Sequence, residues 1–154
     1  MWFVATRNFA VARALQETPA AGFEQITTPL DAEAIRLVTR HQASEVNRLF
    51  FHGWGLVQIP IAIIALGLAW RVQEGRMLVL LAGLMLVIVT GLELYVVPET
   101  IRLGRVLDFI PRDPPPPEDA PFWRLHHAYT GLDMLKFVLG IASAVILAAR
   151  GASF

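Results

Sequence analysis

The chain has 154 residues, 55% hydrophobic and only 17% charged, where soluble domains run roughly 45–50% apolar and about 25% charged. Thirteen basic and thirteen acidic side chains cancel, which leaves a nucleic-acid partner without electrostatic support. The absence of cysteine excludes disulfides, thiolate metal sites, iron–sulfur clusters and covalently attached c-type haem. Mean hydropathy is +0.53, and the apolar residues are gathered in blocks of membrane-span length, so the expected fold is an all-α, polytopic membrane helical bundle.

Residues 1–28 form an N-terminal segment. Arg7, Arg13 and Glu17 interrupt it, so it has no clean apolar core of a cleavable signal peptide. Residues 1–5 are too few to cross a membrane. The segment is therefore expected either to lie along the interface as an amphipathic helix or to be part of a fourth helix.

A long helix is expected over residues 29–70. Thr28 would cap it, Pro29 suits the first helical position, and Asp31 complements the positive end of the dipole. Its span is 53–70, free of ionisable residues and roughly 27 Å long at about 1.5 Å per residue. Trp54 and Trp70 bracket that span at the depth of aromatic belts. Pro60 should bend it, and Gln58 leaves an amide wanting partners. Before the span, His41, Glu45, Arg48 and His52 fall on one stripe, read as a solvated face on which Glu45 supports its neighbours.

The short turn at 71–76 makes an antiparallel hairpin with a second span, 77–97, which carries Glu93 about a turn from its end. Residues 98–121 read as a Pro-rich loop, with Pro114, Pro115, Pro116 and Pro117 as a stiff, extended spacer. The last helix is expected over 122–150, with its span at 132–149. Asp133 and Lys136 stand in its first turn, and Lys136 is expected to snorkel to the interface.

Arginine placement suggests the orientation. Arg7, Arg13, Arg36, Arg40, Arg48, Arg102, Arg105, Arg112 and Arg124 fall on one side; Arg71, Arg76 and Arg150 fall on the other. Nine against three puts the N-terminal segment and Pro-rich loop in the cytoplasm, and the C-terminus in the periplasm of a bacterial inner membrane.

Three passages, VVPETIRLGR (96–105), FWRLHHAYTGLDMLKFVLG (122–140) and MWFVATRNFAVARAL (1–15), are similar to the transmembrane protein 205-like family of small four-helix membrane proteins. The resemblance implies a helical bundle and transfers no catalytic residues. Its members carry further apolar residues before the position of Met1, completing an additional span, and there this sequence departs from the pattern.

The candidate site is an intramembrane polar cluster of Glu93, Lys136, His52, His127 and Gln58, because ionisable groups at membrane depth are rare and functional by default. A Glu93–Lys136 ion pair is the economical structural account of the first two. Histidines 52, 126 and 127 invite haem, pigment or quinone contact, although interfacial histidines beside aromatic residues are common without a cofactor; none is predicted. Helix packing is expected through small-residue spacing at Gly140, Ala144 and Ala148, and at Gly83 and Gly91. No catalytic motif or metal-ligand spacing is present. Three functions fit. The first is a non-catalytic accessory subunit of a larger respiratory or photosynthetic complex, partnered by lipid and other membrane subunits. The second is a stand-alone carrier or tolerance protein for a metal or small solute. The third is a haem- or quinone-binding protein.

Overall fold

The computed structural model describes residues 2–18, 21–110 and 113–151. Met1, Pro111 and Arg112, which entered the sequence reading, lie outside them. In chain order the elements are α1 (Trp2–Glu17), α2 (Ala21–Thr27), α3 (Ala32–Arg71), α4 (Arg76–Gly91), a π turn (Leu92–Val96), α5 (Val97–Leu107) and α6 (Asp119–Gly151). Among the described residues the regular structure is entirely helical. Three helical stretches are long and apolar enough to cross a membrane: Ala32–Arg71, Arg76–Leu107 and Asp119–Gly151. The protein is a multi-pass membrane helical bundle.

α3 has 40 residues and so extends about 60 Å, twice a hydrocarbon core of about 30 Å. Its half before Gly53 protrudes. The helix begins three residues later than the sequence suggested. Asp31 itself is the N-cap, its Oδ1 accepting from the Ala34 amide at 2.6 Å. Thr28 looks backward instead, its hydroxyl donating to the Glu24 carbonyl at 2.8 Å and closing α2. Pro29 lies in the intervening turn. A carboxylate three residues before a free amide outcompetes a hydroxyl already spent on the preceding helix.

α1 is the additional N-terminal helix that the sequence leads one to expect. It packs antiparallel on the protruding half of α3. Asn8 Nδ2 donates to Asn47 Oδ1 at 2.6 Å, Gln16 Nε2 donates to Thr39 Oγ1 at 2.7 Å, and Ala12 and Ala43 are buried on the same elements. The amides satisfy one another across the helix pair, as partly buried polar groups must.

The second span also runs further than expected. Residues 98–107 are helical, so the connection between the helices is residues 108–118 only. Pro98 has no N–H and its ring would strike the carbonyl four residues back in an α-helix. The π turn just before it widens the ladder: the Val97 amide bonds to the Leu92 carbonyl, five residues back. Thr100 Oγ1 also donates to the Val96 carbonyl at 2.6 Å. The helix thus continues through the proline. The four prolines do not run as a rod; Pro114 lies in a bend, Pro117 in a turn, and the Asp119 amide bonds back to the Pro116 carbonyl at 3.0 Å.

α4 is the central span: 33% of its apolar window is buried, against 11% for α3 and 6% for α6. At the hairpin end Ala69, Leu78 and Ala82 pack with Leu66, Val72, Val79 and Ile146. Toward the π turn Ile88, Leu92 and Val96 meet Leu125, Tyr129, Leu132 and Leu139 of α6. Arg150 ties the end of α6 to the hairpin, donating to the carbonyls of Gln73 (2.8 Å) and Glu74 (2.9 Å). Gly55, Ala62, Ala69 and Ala82 are small residues of the spans that are buried. Gly83, Gly91 and Gly140 have no neighbour within 4 Å of a notional Cβ, and Ala144 and Ala148 are exposed. The expected packing stripes are therefore not the ones this bundle uses.

Candidate functional site

One face of α3 carries a polar seam from the protruding half into the span: His41, Glu45, Arg48, His52, Gly55 and Gln58. The spacing of three and four residues keeps them on one side of the helix. The seam is not the solvated face expected from sequence, because α5, the π turn and α6 cover it at three levels.

At the outer level α5 ends on Asp108, 4% exposed. A carboxylate at a helix C-terminus opposes the dipole, and α3 supplies the compensation. Arg48 Nη1 donates to Asp108 Oδ2 at 2.8 Å and to Glu45 Oε1 at 2.7 Å; His41 Nδ1 meets Asp108 Oδ2 at 2.8 Å. Arg105 forks onto Glu45 at 2.8 and 3.0 Å. The Arg105 bonds first, then Arg48, hold the Glu45 carboxyl far below the ordinary carboxylate range, at about 2, against the opposing effect of partial burial. Gly104 makes room for the clamp, since a Cβ there would lie 2.9 Å from Arg48 Nη2 and 3.3 Å from a Phe122 ring carbon. The ligand atoms of His41, Glu45 and Asp108 lie within 4.8 Å of one another. Two guanidinium groups already occupy the carboxylates, so a metal ion there would have to displace them.

At the middle level Glu93 projects from the π turn onto α3. Its side chain is 3% exposed, and its Oε1 abuts His52 Nδ1. Among the described residues neither carboxylate oxygen accepts a well-formed hydrogen bond. The carboxylate lies where the Cβ of any residue but glycine would stand at position 55. Glu93 is 17 residues beyond Arg76 along the chain, or about 25 Å into a core of about 30 Å. It is therefore near the protruding side. π turns recur at functional sites because they break the regular ladder and re-aim side chains.

At the inner level Lys136 of α6 is buried. Its Nζ donates to Gln58 Oε1 at 2.6 Å and pairs with Asp133 Oδ1 at 2.8 Å. The Glu93–Lys136 pair expected from sequence does not form, and Lys136 does not snorkel. An i, i+3 carboxylate on its own helix and an amide on α3 satisfy the ammonium first. Beyond Gln58 on α3, and beyond Lys136 on α6, no ionisable residue appears before Arg71 and Arg150. The seam is one-sided, with about 20 Å of apolar helix beyond it.

His127 does not join the cluster. It is exposed, with its ring 5.9 Å from that of Trp123, while His126 stacks on Phe122 at 6.0 Å. Asp108, Arg105, Asp133 and Gly55 belong to the seam and were not singled out from sequence. Gly55 was accessible there, three residues after His52 on the same face. Asp108 was not, because it lay in a segment read as loop. No family model, curated protein or solved structure matches the chain.

Proposed function

We propose that this protein is a small membrane carrier that binds a cation at Glu93, loaded from the side on which α3 protrudes. The observation that carries this reading is a buried carboxylate in a membrane span whose oxygens lack well-formed hydrogen bonds from the described residues. A carboxylate charge in that position, met only by a half-exposed imidazole, is costly, and a bound cation removes the cost. Two breaks in the helical hydrogen-bond ladders lie at the site: the π turn that carries Glu93, and Pro60 on α3. They are natural bending points for a second state that opens the remaining apolar half. With the arginine-rich side cytoplasmic, the site loads from the cytoplasm of an inner membrane. The test is flux in proteoliposomes under a proton gradient and, separately, with mono- and divalent cations outside. Glu93→Gln should abolish flux at unchanged protein yield. Equal flux in the variant would remove Glu93 from the reading.

A second reading, a non-catalytic accessory subunit of a larger membrane assembly, is favoured by the α6 face of Gly140, Ala144 and Ala148. Small residues let backbones approach, yet the bundle leaves this face unused. Native purification in mild detergent with mass spectrometry decides. Stoichiometric migration with other subunits supports this reading, and migration alone removes it. The same sample's absorption spectrum and quinone content test the haem and quinone readings.

A further inference from the structure

We propose that His52 is a proton shuttle between water and Glu93, so that the cation taken up at this site is the proton. The inference rests on Glu93 as the ion-binding group and adds the identity of the ion and its route.

The geometry separates an inside group from an outside one. Glu93 is 3% exposed and His52 is 49% exposed, and the two touch through Nδ1 and Oε1. Nothing but the imidazole need stand between the surface and the carboxylate. Gly55, a turn further along α3, lets the carboxylate lie against the helix backbone, within reach of His52 on the same face. An imidazole suits this task because its two nitrogens lie on opposite edges of the ring and exchange protons near neutral pH.

The ligand set favours a proton over a metal ion. A divalent ion needs several donors. Among the described residues the one convergent group of three such ligands is at the outer level, not at Glu93. The nearest amide oxygen on the seam, Gln58 Oε1, is taken by Lys136.

The transfer balances with His52 neutral before and after it. Hydronium at the exposed edge gives a proton to Nε2, forming that N–H bond and leaving water. The Nδ1–H bond breaks as its proton passes to Glu93 Oε1, which becomes a carboxylic acid. With the ring swung out to water, Nε2 gives its proton to a water molecule and Nδ1 takes one from hydronium, which restores the starting tautomer; release runs the same steps in reverse. Of the charged or titratable groups around the pair, Tyr129 of α6 lies within electrostatic reach of Glu93, and the others are engaged elsewhere. Arg48, one turn earlier on α3, is bound to Glu45 and Asp108. On α6, Asp133 and Lys136 are bound to each other, and Tyr129 stacks edge-on against Phe51.

The experiment is infrared difference spectroscopy on the full chain in nanodiscs, and needs no transport. A protonated-carboxyl band that Glu93→Gln removes identifies the group, and pH jumps give its exchange rate. His52→Ala should slow that rate about tenfold or more, and free imidazole in the buffer should restore it. An unchanged rate overturns the shuttle. So does a slowed rate that imidazole does not restore, because His52 would then act only by holding structure. A Glu93 band that never appears, together with Glu93-dependent metal flux in proteoliposomes, overturns the proton assignment and leaves the carrier reading in place. A relayed, titrating band without any flux supports the shuttle while ending the carrier reading. Thermal unfolding of His52→Ala confirms that the variant compared is folded.

Discussion

Replacing Gly55 with alanine probes the closest approach in the candidate site. The new Cβ would overlap Glu93 Oε2 and come within 2.8 Å of the carboxyl carbon. The struck atoms are the end of a side chain, but that side chain is 3% exposed, so it must move against packed neighbours. Overpacking of this kind costs about 1–3 kcal/mol, while alanine for glycine inside a helix returns roughly 1 kcal/mol. The net effect in the parent protein is a loss of up to about 2 kcal/mol. In a Glu93→Ala background the obstacle is gone and the propensity gain remains, so the same substitution should stabilise by up to about 1 kcal/mol. The assay is reversible denaturation of the four proteins in mixed micelles, read as a double-mutant cycle. A change of sign between backgrounds is the expected result. Equal effects within about 0.5 kcal/mol would mean that Glu93 does not lie against Gly55, and the site as described would fall.

Arg48→Met removes the main partner of the buried Asp108 and should cost toward the lower end of about 3–5 kcal/mol, since His41 still bonds the carboxylate; a thermal-unfolding loss under about 1 kcal/mol would place this pair among ordinary surface salt bridges. Glu45, held at about 2 against an ordinary 4.5, contributes stability that is complete above pH 4.5 and is lost as pH falls from 4.5 toward 2. Spin labels on cysteines placed at the exposed Val38 and Val106 should report a broadening α3–α5 distance across that window, and an unchanged distribution would contradict the clamp. Asp31→Ala should cost about 1 kcal/mol through loss of the α3 cap, with Thr28→Ala costing α3 less; the reverse order in thermal unfolding would restore Thr28 as the cap.

Much of the membrane architecture was legible without coordinates. A run such as 53–70, with no ionisable group over a bilayer's thickness, admits few other fates, and the short turn after it makes a hairpin whatever the rest of the chain does. The polar stripe of α3 was equally visible, because helical spacing alone aligns His41, Glu45, Arg48 and His52. Its meaning was not. Pro98 read as the end of a span, and only the π turn lets the helix pass through it and carry Asp108 and Arg105 onto that stripe. Partner choice was likewise invisible. Glu93 and Lys136 lie at similar depth and opposite charge, yet Lys136 turns to Asp133 and Gln58 while Glu93 is left against His52. Local sequence determines which residues are helical and which enter the membrane, because those depend on spacing and transfer energy along one segment. Which buried charges meet depends on the rotation of one helix against another, and that is decided only when the bundle packs.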